Sequence, residues 1–235
     1  MMISELKVLQ EGVLSAVLQG ESVSEHSSVE EYMNAFDKAA RSAGYQPVGR
    51  PAWKQVQDRP NAIEMSVCLL PKVELGQYLQ REVLCVANDT VPRELSGRIV
   101  DQLVQDSYVA VPMLAIDTEA GHQWLLLQSR LAKSGIALQQ HLARLRTTEQ
   151  AFTSKLRGYA EADMKKRIVL LAVAQAEGFT VAEEELQGAV LDAQRHGIRL
   201  PDRMQLRQKI LAEKAIELIW QSSIPVSLSV QGDLA

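Results

Sequence analysis

Aromatic residues are scarce, 5% of 235, and cysteine occurs only at Cys68 and Cys85. Two cysteines outside any C-x-x-C pair exclude a disulfide scaffold, and both read as buried thiols. A basic excess is missing too: 25 Lys and Arg stand against 29 Asp and Glu, a formal charge of -4. Polyanion binders show the opposite balance, so neither nucleic acid nor an anionic membrane is expected as a main partner. Long apolar runs are also lacking. The longest, Ile168 to Ala174, falls well short of the ~20 residues that span a bilayer. The segment Met1 to Lys7 has no secretory pattern, so a soluble, cytoplasmic protein is expected.

What is present is Leu, Ala, Val, Gln and Glu, a bias toward straight-chain helix formers. Hydrophobic residues make up 46% and charged residues 23%, ordinary globular composition for one large domain or two modest ones. Leu6, Leu9, Val13, Ala16 and Val17 recur at helical spacing and predict a helix over residues 3–19. A Ser-rich loop over 21–28 follows. Ser28 and Glu31 form a capping box for a helix to about Ala43, with Tyr32, Phe36, Ala39 and Ala40 inward and Gly44 at its end. Pro47, Gly49, Pro51 and Pro60 forbid regular helix, and Ile63 to Leu69 reads as a strand ended by Pro71. Residues 71–91 read as an extended connector with a weaker run from Glu82 to Ala87.

From Thr90 onward the pattern is helical. Thr90 and Pro92 open a helix whose stripe is Leu95, Ile99, Leu103 and Val104. Val111 to Gly121 reads as irregular, and a long segment runs from Trp124 toward Arg146 with a break at Ser134-Gly135. Thr147 with Gln150 caps a helix that reaches Ala176, roughly 40 Å and suited to an arm or spine. Gly178 closes it, Thr180 to Glu183 opens the next helix, and His196-Gly197 closes that one. Pro201-Asp202 starts the last, with Leu211, Ala215 and Leu218 on one face. The tail after Ser227 has little to pack with.

A search for reaction chemistry returns little. His26, His122, His141 and His196 are scattered without ligand partners at metal spacing, so no metal or other cofactor is expected. Phosphate loops and nucleophile elbows are missing, and the expectation is a protein that is not an enzyme. Lys165-Lys166-Arg167, with Glu161 and Asp163 just before, reads as a solvated face. Two apolar features remain, Met113-Leu114-Ala115-Ile116 and Trp124 beside Leu125-Leu126-Leu127. They are either core or an exposed lining that marks a partner surface.

Several motifs resemble bacterial trigger factor. FDKAARSAGYQPVGRP (Phe36 to Pro51), the strand Ile63 to Leu70 and LPKVELGQY (Leu70 to Tyr78) look like the passage leaving that family's ribosome-binding domain. Thr90 to Leu95, Ala160 to Leu170, Glu177 to Leu186 and Ala212-Glu213-Lys214-Ala215 are similar to its C-terminal helical domain, so the resemblance covers most of residues 30–226. It implies a mainly α protein with a small α+β N-terminal part, divided as 1–86, a shortened ribosome-binding-like part with connector, and 87–235, an elongated helical chaperone domain with arm-like helices. The family's ribosome-contacting G-F-R-x-G-K loop does not occur here and is expected upstream of this segment, so ribosome docking is not implied. Its isomerase domain would enter between Val86 and Pro92, where only Ala87 to Val91 stand. The implied role is an ATP-independent chaperone, a holdase or folding factor for unfolded or nascent polypeptides, with Met113, Leu114, Ile116, Trp124 and Trp220 as candidate client-binding residues. The alternative is an assembly module that binds one folded partner or itself. A strand at 63–70 with an open edge would support self-association, unless the helix expected over 3–19 covers it.

Overall fold

The computed structural model describes the chain apart from residues 1, 4–5, 10–11, 20–28, 58, 60–61, 86–91, 198–201 and 228–235. The loop over 21–28, the caps Ser28 and Thr90, and the tail after Ser227 lie outside the described residues. A small antiparallel sheet and an α-hairpin are assembled around a helical body.

Most described residues of the segment expected to be a helix over 3–19 lie in strands instead: β1 (Met2–Ile3), β2 (Lys7–Leu9) and β3 (Val13–Gln19). The reason is period. Leu14, Ala16 and Leu18 alternate inward along β3, and Gly12, at φ 70°, turns the chain so that Leu9 pairs Val13. Spacings of three and four between apolar residues coexist with that alternation, and pairing with β5 (Ala62–Leu69) selects the extended form.

Helix α1 (Val29–Ser42) precedes β4 (Pro47–Gln55). The Pro-rich stretch, read only as non-helical, is thus a strand. Its register against β5 shifts between Val48 and Ala52, around Gly49 at φ 79°. The sheet runs β1-β3-β5-β4, with β2 also on β3. Strand β5 is therefore central. Both of its edges are bonded, to β3 and to β4, and the open edge expected at 63–70 does not exist. Self-association through that strand is corrected accordingly.

After β6 (Glu82–Cys85) come α2 (Pro92–Asp106), α3 (Met113–Lys133), α4 (Leu138–Arg144), α5 (Glu149–Ala176), α6 (Glu183–Arg195), α7 (Arg203–Ser222) and β7 (Ile224–Ser227). Helix α3 starts within the stretch expected to be irregular, just after Pro112, because a proline before the first turn loses no helical bond. Thr148 rather than Thr147 caps α5, accepting from the Ala151 N–H at 3.2 Å. Strand β7 pairs parallel with β6, Glu82 opposite Ile224, which ties the end of α7 to the connector.

Two cores result. One face of the sheet, Leu14, Leu18, Met65 and Val67, packs on Tyr32 and Phe36 of α1 and on Met204 of α7. The larger core centres on α5, whose run Ile168 to Ala174 is buried all round against Ile99 and Leu103 of α2 and Leu211, Ala215 and Ile219 of α7. Val48 and Cys68 of the sheet belong to that second core, so the parts 1–86 and 87–235 share an interior.

The connector is clipped to the end of α2. Glu74 and Tyr108 exchange backbone bonds at 3.0 and 2.9 Å, and the Gly76 N–H donates to Ser107 Oγ at 3.1 Å. Arg81 pairs with Asp106. A Cβ on residue 76 would lie 2.8 Å from the Asp106 Cβ, which only glycine avoids. Tyr78 completes the clip by donating to Glu177 Oε1 at 2.8 Å.

Candidate functional site

Helix α5 has 28 residues, ~42 Å of rod, and its two halves meet different surroundings. From Met164 to Ala174 it is mostly buried in the larger core. From Glu149 to Asp163 only Ala160 is buried. Helix α3 packs along it, and α4 closes the far end. The result is a helical arm whose base is rooted in the body.

At the base, Ile116, Ala120 and Ala160 form a small apolar seam. Glu119, 7% exposed, accepts from Arg50 Nε of β4 at 3.2 Å and lies 4.0 Å from Arg167 of α5. Asp117 pairs with Arg157 at 2.6 Å. These contacts hold the arm against sheet and body. Farther out the Trp124 and Phe152 rings stand 5.9 Å apart, with His141 of α4 edge-on to Phe152 at 6.4 Å, so one aromatic group joins all three arm helices. Trp124 also lines a cavity of about 230 Å³ with Gly121, Thr153 and Leu156.

The arm displays apolar side chains to solvent. Leu125 is 64% exposed, Leu145 52% and Tyr159 65%, and Leu126 is exposed beside them. A second hollow, about 440 Å³, lies where sheet and body meet, walled by Tyr45, Pro47, Leu171, Phe179, Met204 and Leu211. Its rim carries Asp37, Arg41 and Arg207.

The five residues singled out in the sequence are sorted by burial and do not form one lining. Met113 is exposed at the start of α3, and Leu114 is half-buried against the larger core. Trp124 is half-buried in the arm. Ile116, 5% exposed, belongs to the seam and is inaccessible to a partner. Trp220 packs on the body core from α7, away from the α3 residues in sequence and element. Leu125 and Leu126 were noted only as part of the apolar run beside Trp124, and Leu145 and Tyr159 were missed. Tyr159, among Arg157, Glu161 and Asp163, gives no periodic signal.

No group of three or more metal-ligating side chains occurs among the described residues, and none of their helices is long and apolar enough to cross a membrane.

A helical body carrying a hairpin arm and a small antiparallel sheet defines a mainly α class. The chain belongs to the family described as bacterial trigger factor protein C-terminus, which matches residues 74–221. Similar proteins include the trigger factors of Thermobifida fusca, 31% identical over 62% of this chain and 29% of that protein, and of Acetivibrio thermocellus, 24% identical over 64% and 37%. The trigger factor of Halothermothrix orenii is 23% identical over 56% and 30%. The chain thus matches about a third of the length of these relatives. A solved structure of trigger factor domains from Thermotoga maritima shares 19% identity, with a TM-score of 0.46 over 63% of this chain and 93% of that one.

Proposed function

We propose that this chain is an ATP-independent chaperone of the cytoplasm, a holdase that shields unfolded or nascent polypeptides without isomerase chemistry or cofactor. Membership of the trigger factor C-terminus family supports the general role. The observation that carries the reading is the arm: exposed Leu125, Leu126, Leu145 and Tyr159 on helices whose roots are fixed by the seam at Ala120 and by Glu119. Side chains held this way offer apolar contact without a fixed partner geometry, which suits clients of varied sequence. Affinity then comes from several weak contacts on one chain. Only six residues separate Cys85 from Pro92, which supports the absence of an inserted catalytic domain.

The test is light scattering of a chemically denatured client diluted into buffer with equimolar protein. Slower aggregation is expected, with the effect reduced severalfold in a variant carrying Leu125→Ser, Leu126→Ser and Tyr159→Ser. An unchanged scattering curve with the unmodified chain would remove the reading.

A further inference from the structure

From the second half of α3 through α4 the arm carries charge of one sign, up to Glu149 at the start of α5. Residues 120–148 contain Arg130, Lys133, Arg144 and Arg146 and no Asp or Glu, in a chain that otherwise carries more acid than base. A charge of +4 on this segment against -4 for the whole leaves -8 on the remainder. All four cations are exposed, and none forms an ion pair or side-chain hydrogen bond with a described residue. Arg130, Lys133 and Arg144 fall in last turns of helices, where the helix dipole favours cations. The dipole does not explain why no carboxylate stands among them. The start of α4 has none in its first turn, although acid is favoured there.

The same span carries exposed Leu125, Leu126 and Leu145. Lone basic residues around apolar contacts give two kinds of complementarity at once. Their alkyl stems extend the apolar surface, and their charged heads attract carboxylates. The net negative charge of the remainder disfavours an acidic ligand there on average, so long-range steering and contact agree.

We infer that the arm end docks acidic amphipathic polypeptide segments, in which leucine-like residues alternate with Asp or Glu at helical spacing. This rests on the chaperone reading above and adds to it the chemical class of segment that is held first.

The experiment uses the full chain and two fluorescein-labelled synthetic peptides of equal length and leucine pattern, one with glutamates at the polar positions and one with lysines. Fluorescence anisotropy at low salt should show the glutamate peptide bound about tenfold more tightly, the margin shrinking severalfold in 0.5 M salt. Replacing Arg130, Lys133, Arg144 and Arg146 by Glu should reverse the preference. Replacing the same four by Gln should abolish it, a second variant that guards against misfolding of the first. Leu125→Ser with Leu126→Ser should weaken both peptides. Equal affinities, a preference for the lysine peptide, or an acid preference that survives the reversal would overturn the inference. So would a salt-sensitive dimer in sedimentation that the reversal dissociates, since the arm end would then serve the acidic body of a second copy. Scattering with an uncharged client tests the chaperone reading separately: protection without charge preference sinks the inference alone, and charge preference without protection sinks the general reading alone.

Discussion

Gln208 accepts from the Gly49 N–H through its side-chain oxygen at 3.2 Å and donates its amide to the carbonyls of Pro47 and Gly49 at 3.3 Å, all within the interior. The strand irregularity at Gly49 is thereby satisfied from α7. Gln208→Ala leaves those groups unpaired and is expected to cost about 2–3 kcal/mol, lowering the thermal midpoint by roughly 5–10 °C. By contrast Glu185→Ala, which removes a solvent-exposed pair with Lys214 at 2.8 Å and a bond from the Ala182 N–H at 3.0 Å, should lower the midpoint much less than Gln208→Ala does. Gly76→Ala forces a Cβ into Asp106 and should destabilise by about 2 kcal/mol in the same melt. Burial pushes the Cys68 thiol up to about 11 from an ordinary value near 9. The unfolded thiol ionises first, so stability is retained below pH 9 and falls as pH rises toward 11, a trend that Cys68→Ala should flatten. Single residues were legible where sign and period agree, as with Tyr32, Phe36 and Ala40, all buried as expected. Gly76 was legible only as a letter in LPKVELGQY. Its cause, the close approach of Asp106, is a contact between segments that no local pattern encodes.

Helix α5 was readable along its whole length because Ile168 to Ala174 is apolar all round and Gly178, at φ 67°, ends the run. Its divided environment was not readable, since both halves have helical sequence and only packing separates them. Amide hydrogen exchange should therefore differ within one continuous helix, with residues 149–163 exchanging faster than 164–174. Uniform protection would contradict the arm. Gly158 sits in the exposed half with open space around it, and Gly158→Ala should stabilise by about 0.5–1 kcal/mol. The strands before Gln19 were misread for the opposite reason: both periods fit Leu6 to Val17, and the deciding partner, β5, lies over forty residues away. Of the candidate site, Trp124 and Leu125-Leu126 were visible as an apolar run, while exposure, the property that matters, depends on how α3 lies on α5.

At the scale of the whole molecule the two parts are joined by Val48 and Cys68, which sit among Met164, Ile168 and Leu171 in one core. A fragment of residues 87–235 alone would lose that lid together with Val73, Leu75 and Tyr78 of the connector. It should bind more of an apolar dye such as ANS than the full chain does, and melt without the full chain's sharp transition. Strong cooperative melting of the fragment would show that the sheet is dispensable. The helical body and arm were anticipated from spacing and resemblance, but the shared interior was not, because it is written in residues from distant segments. That interior has a mechanical consequence. About 22 Å of α5 projects from a root fixed on every side, without proline, so any force applied at the tip works through a lever. Torque applied at the tip is delivered to Met164 and Ile168, and the tightness of that fulcrum sets how far the arm can bend before it yields.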